Sequence, residues 1–205
     1  ASSYTYLLAS LYRIAGPRPD VVWVLQVLLG LVSCVLLWRI ARRLFDPTVA
    51  AVALALAGTY ALWPFYEGQL LSTSLGVFLS LFLCDRLLKW PEKGLGLIEC
   101  LYAGVLLGLL MRTVNVAFGL LPCLAWWLIR QDPTPRAAPR RLAALLVGVA
   151  VSWSLLALPS ARRRDGLTFL PPHAGINSYI GNHPQADGAF RPPAGMRPTQ
   201  RGLLE

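Results

Sequence analysis

Apolar runs recur along the first 160 positions of this chain, each closed by a short polar or basic stop. A membrane-spanning helix needs about 20 mostly apolar residues, with roughly 17 as the lower limit. Six segments approach that template. They are Val21 to Ile40, Thr48 to Trp63, Leu70 to Leu88, Leu95 to Met111, Val114 to Ile129 and Leu142 to Pro159. The second, fourth and fifth are short. The fourth and fifth could form one bent helix, but Arg112 and Asn115 at the join favour a break. Before the first run, Tyr4, Leu7, Leu8, Leu11 and Tyr12 follow i, i+3, i+4 spacing, which predicts a partly amphipathic helix over Ser2 to Ala15. After the last run the pattern changes. Gly175 to Phe190 is polar and rich in turn formers.

The pattern predicts an all-α fold, a polytopic transmembrane helix bundle of about six spans. Residues 1–20 form an interfacial segment, 21–159 the bundle and 160–205 a polar segment outside the membrane. Composition agrees: 56% of the 205 residues are hydrophobic and 14% charged, with mean hydropathy +0.54. Average soluble domains are about 25% charged.

Charge then sets an orientation. Loop 39–47 holds three Lys or Arg, 86–93 three and 130–141 four, against none in 64–69 and Arg112 alone in the next loop. Cytoplasmic loops carry the excess of Lys and Arg. Residues 1–20, 64–69, 111–114 and 160–205 are therefore expected outside, in a multi-pass protein of the cell inner membrane. Arg162, Arg163 and Arg164 run against this, at the start of a longer exported segment where the rule is weaker. The net charge of +9 sits in short clusters between apolar runs, so no nucleic-acid partner is expected. Cys34, Cys84, Cys100 and Cys123 lie in or beside apolar segments and read as packing residues.

Three polar elements share the outer side. Glu67, in Tyr66-Glu67-Gly68-Gln69, is either a solvated loop charge or an acid, base or metal ligand at the mouth of a cavity. Arg112, in Arg112-Thr113-Val114-Asn115, is either a snorkelling interface residue or a clamp on a lipid phosphate. Asn177, Asn182, His183 and Asp187 supply donors and acceptors suited to sugar hydroxyls or phosphates, or simply furnish a surface loop. His173 and His183 stand ten apart with no zinc-type spacing, so no metal or other cofactor is expected. The chain carries no Walker A motif, GxGxxG or Asp-x-Asp pair, which argues against direct use of a nucleotide.

Three stretches carry a resemblance: Phe65-Tyr66-Glu67-Gly68-Gln69-Leu70-Leu71, Gly104-Val-Leu-Leu-Gly108-Leu-Leu-Met-Arg-Thr113 and Gly175-Ile-Asn-Ser-Tyr-Ile-Gly-Asn-His-Pro-Gln-Ala-Asp-Gly188. In this order the chain resembles the membrane domain of GT-C-type glycosyltransferases. It is most similar to bacterial relatives of protein mannosyltransferases and of the lipid A aminoarabinose transferase. The resemblance implies an inverting enzyme that takes a sugar from a polyprenyl-phosphate donor and passes it to a protein, lipid or glycan acceptor. Glu67 would be an outer-face acidic group near the acceptor, or the catalytic base. Arg112 would contact the donor phosphate, with Asn115 beside it. Asn177, Asn182, His183 and Asp187 would belong to the outer loop over the cavity. Such enzymes place a catalytic carboxylate in the first outer loop. Asp20 does not match that motif, and the chain reads as a portion beginning after that loop. The competing readings are a lipid or small-solute transporter, whose inverted repeats are not found, and a non-catalytic membrane scaffold.

Overall fold

A computed structural model describes residues 3–60, 68, 71–93, 96–130, 137–161 and 182. Among these the chain is all-α. Its helices are α1 (Ser3–Ala15), α2 (Pro19–Leu44), α3 (Pro47–Thr59), α4 (Thr73–Lys93), α5 (Leu97–Thr113), α6 (Leu120–Arg130) and α7 (Ala138–Ala161). A 3-10 turn over Asn115–Gly119 leads into α6.

Local chemistry sets the breaks. Gly16, at φ +77°, takes the left-handed conformation that ends α1. Pro19 then opens α2, where its missing N–H costs nothing. Asp46 caps α3 by accepting from the Val49 N–H at 2.8 Å, with Pro47 in the first turn. Val114 adopts an extended conformation (φ −134°, ψ 113°), so the fourth and fifth apolar segments are separate, as expected. The break falls two residues past Arg112, which lies in the last turn of α5 rather than in a loop.

Helices α2 and α7 turn small or polar side chains inward among a few apolar ones. On α2, Val22, Gln26, Gly30, Ser33 and Leu36 face inward. Val24, Val27, Leu28, Leu31 and Val35 are all at least 46% exposed. On α7, Leu145 and Ser152 are buried, while Leu146, Val147, Val151 and Leu155 face out. A water-soluble helix shows the reverse arrangement. An apolar outer face over a small or polar inner face suits lipid, where close backbone packing and interhelical hydrogen bonds hold helices together.

Helices α5 and α7 make the tightest pair. An added Cβ at Gly104 would strike the Leu145 carbonyl oxygen, and one at Gly148 the Leu101 carbonyl oxygen. One at Gly108 would strike Ser152 Oγ. The contacts climb both helices together, so α5 and α7 run parallel. Helices α2 and α4 are also parallel, since Gln26 meets Leu71 and Arg39 meets Asp85. The core lies between α4, α5 and α7, around Leu79, Leu83, Leu107, Leu110 and Leu145.

Six spans were expected. Among the described residues two helices, Pro19–Leu44 and Ala138–Leu156 within α7, are long and apolar enough to cross a bilayer. Helix α4 has 21 residues but carries Asp85, Arg86 and Lys89. Helix α5 has 17 residues. At 1.5 Å per residue, the 13 residues of α3 reach about 20 Å, short of a hydrocarbon core of about 30 Å.

Candidate functional site

One end of the bundle gathers the N-terminus of α1, the first turns of α2, the start of α4 and the end of α5. Ser3 Oγ donates to the Leu109 carbonyl at 3.0 Å, tying α1 to α5. Gln26, 1% exposed, donates from Nε2 to Tyr4 Oη at 3.2 Å and to the Leu71 carbonyl at 3.1 Å. A buried polar group needs such partners, and more so where lipid surrounds it. Gln26 therefore fastens α1 and the entry to α4 onto α2. Burial pushes the Tyr4 phenol above its usual pKa, with a smaller rise from Tyr12, so the hydroxyl stays protonated.

Arg112 lies at this same end, because Gly76 near the start of α4 abuts Thr113 and Val114. Its guanidinium carbon sits 5.5 Å from the centre of the Trp153 ring on α7. Trp153 in turn meets Phe118 edge-on at 5.6 Å. Stacking on an aromatic face lowers the cost of a cation near lipid and fixes the direction of the fork. Asn115, exposed, opens the 3-10 turn three residues on.

A groove of about 580 Å³ opens beside this end, between α2, α4 and α5. Ser72, Thr73, Ser80 and Thr113 are its polar lining residues, and Leu37, Val77, Leu81 and Val114 its apolar ones. Gly76 on its wall lets Val114 approach α4 closely, since a Cβ there would lie 2.6 Å from Val114 Cγ2. A mostly apolar groove with hydroxyls gathered toward the Arg112 end suits a ligand with a polar head and a hydrocarbon tail.

Of the expected site residues, the structure places Arg112 and Asn115 together at one helix end. Asn182 is exposed. Glu67, Asn177, His183 and Asp187 lie outside the described residues, although Leu71, four positions after Glu67, is held by Gln26. Among the described residues no three of His, Cys, Asp and Glu come together as a metal site would require. Two residues escaped sequence reasoning. Gln26 is a single amide inside the apolar run Val21 to Ile40. Asp85 is 0% exposed and meets Lys89, Arg39 and Arg43 at the opposite end of the bundle. A polar residue within an apolar run was the available signal for both.

Comparison with known proteins adds the decisive fact. No curated protein and no solved structure matches the chain. The family of dolichyl-phosphate-mannose-protein mannosyltransferases matches residues 3–158, from the start of α1 almost to the end of α7. The chain is a membrane protein that belongs to the dolichyl-phosphate-mannose-protein mannosyltransferase family of glycosyltransferases.

Proposed function

We propose that the protein transfers a sugar from a polyprenyl-phosphate donor to a protein, lipid or glycan acceptor on the outer face of the cytoplasmic membrane. The family match over residues 3–158 carries this reading. Three features support it. Positive charge alternates between successive loops, which argues that the Arg112 end faces outward. A stacked guanidinium at that end suits a phosphate. The neighbouring groove suits a prenyl chain.

In the proposed reaction Glu67 takes the acceptor proton. The acceptor oxygen or nitrogen forms a bond to the anomeric carbon from the face opposite the phosphate. The bond from that carbon to the phosphate oxygen breaks, and its electron pair leaves with polyprenyl phosphate, inverting the anomeric centre. Arg112 holds the anion, with Asn115 beside it. Phosphate is a competent leaving group, so the protein's task is positioning and charge stabilisation. Asn177, Asn182, His183 and Asp187 would belong to the outer loop over the cavity and offer donors and acceptors to the sugar.

Membranes bearing the full-length protein, given radiolabelled polyprenyl-phosphate mannose, should move label onto an acceptor and release polyprenyl phosphate. Movement of intact donor across the membrane without bond cleavage would instead make the protein a transporter.

A further inference from the structure

The opposite end of the bundle holds a second charged centre that the proposed transfer does not use. Asp85 on α4 is completely buried. Lys89 Nζ meets its Oδ2 at 2.9 Å. Arg39 and Arg43, one turn apart on α2, approach at 3.4 and 3.8 Å. Three cations against one carboxylate leave a net charge of +2. The two guanidinium groups are not absorbed by Asp85. Their contacts are long, and their side chains remain 36% and 32% exposed. Each fork has donors to spare.

The surroundings specify what those donors meet. Arg42 lies over Trp38 at 5.1 Å and Arg86 over Phe82 at 4.8 Å, adding two more cations on aromatic supports. Leu44 and Phe45, directly after Arg43, are 54% and 65% exposed. Guanidinium groups beside exposed apolar side chains, at the end of an apolar helix, fit a phosphodiester joined to acyl chains better than a free anion. Basic pockets between membrane helices bind acidic headgroups in this way.

We propose that Arg39 and Arg43, braced by Asp85 and Lys89, form a binding site for the headgroup phosphate of an anionic phospholipid. The site is distinct from the Arg112 end and does not depend on the transfer reaction. Asp85 buries its charge between α2 and α4, and so aims both guanidinium groups at the headgroup layer.

The test is lipid retention by the purified full-length protein. The protein is equilibrated with vesicles of phosphatidylcholine alone or mixed with phosphatidylglycerol, and bound lipid is then weighed by native mass spectrometry. Wild type should retain phosphatidylglycerol in preference. Arg39→Gln and Arg43→Gln should each lower that preference about five-fold, at the usual worth of one basic residue at an acidic lipid surface. Arg39→Lys with Arg43→Lys should keep most of it, and Arg140→Gln, an exposed basic residue on α7, should leave it unchanged. Asp85→Asn keeps an acceptor for the two guanidinium groups while removing the carboxylate charge that competes with the phosphate, and should hold or raise the preference. Equal retention of both lipids by wild type would overturn the proposal. So would an unchanged preference in the Arg39→Gln and Arg43→Gln proteins, or displacement of the lipid by equimolar inorganic phosphate.

Discussion

Gly148→Ala should destabilise this bundle strongly, because its Cβ would enter the backbone-to-backbone contact of α5 and α7. The new Cβ would collide with the Leu101 carbonyl oxygen and lie 2.8 Å from Val105 N and 2.9 Å from Gly104 Cα. All three are backbone atoms on α5, so no side chain can swing away. Restoring ordinary contact requires the two helices to part locally by about an ångström, and a gap of that size forfeits up to about half of the dispersion attraction of each lining atom. Overpacking of this kind costs about 1–3 kcal/mol, and rigid backbone on every side argues for the upper end. A loss of about 3 kcal/mol lowers the folding equilibrium constant roughly a hundredfold. Gly58→Ala on α3 is the control. Nothing lies within 4 Å of its added Cβ, so alanine should gain about 0.5–1 kcal/mol from helix propensity alone. The assay is reversible unfolding of the purified protein in mixed micelles, followed by tryptophan fluorescence. Equal or greater stability of Gly148→Ala would refute the close approach of α5 and α7.

Gln26→Leu should cost about 1–3 kcal/mol in the same assay, because it strands the Tyr4 hydroxyl and the Leu71 carbonyl in a buried site. Asp85→Leu should cost about 3–5 kcal/mol by leaving Lys89, Arg39 and Arg43 around an apolar side chain. For orientation, a single Cys placed at position 183 of a protein stripped of Cys34, Cys84, Cys100 and Cys123 should react with an impermeant maleimide in intact cells. Protection there would reverse the proposed topology.

Much of this architecture was legible in the chain. Helix α1 appeared as a period of Tyr and Leu, and the break before Asn115 as an Arg and an Asn between two apolar runs. Basic stops marked the ends of α2, α4 and α6. The interior was less visible, for a physical reason. In lipid the outward face is as apolar as any core, so hydropathy finds the helix without saying which side is buried. The inward faces are told by exceptions: Gln26, Ser33, Asp85 and the glycines at 104, 108 and 148. Each is a minor departure in a long apolar run, and its meaning depends on a neighbour far away in sequence. Arg112 stood out because a cation between two apolar segments is costly wherever it lies. Its partner Trp153 could not be foreseen, since 41 positions separate the two.

The central claim is that Arg112 stabilises the departing lipid phosphate. Its most direct test is the rate of sugar transfer from polyprenyl-phosphate mannose by the full-length protein carrying Arg112→Ala, at matched protein level and saturating donor. Loss of one donor aimed at developing negative charge lowers kcat by about a hundredfold or more. A fall of that size is expected, with Arg112→Lys recovering part of it because the charge returns without the fork. Wild-type kcat in Arg112→Ala would contradict it.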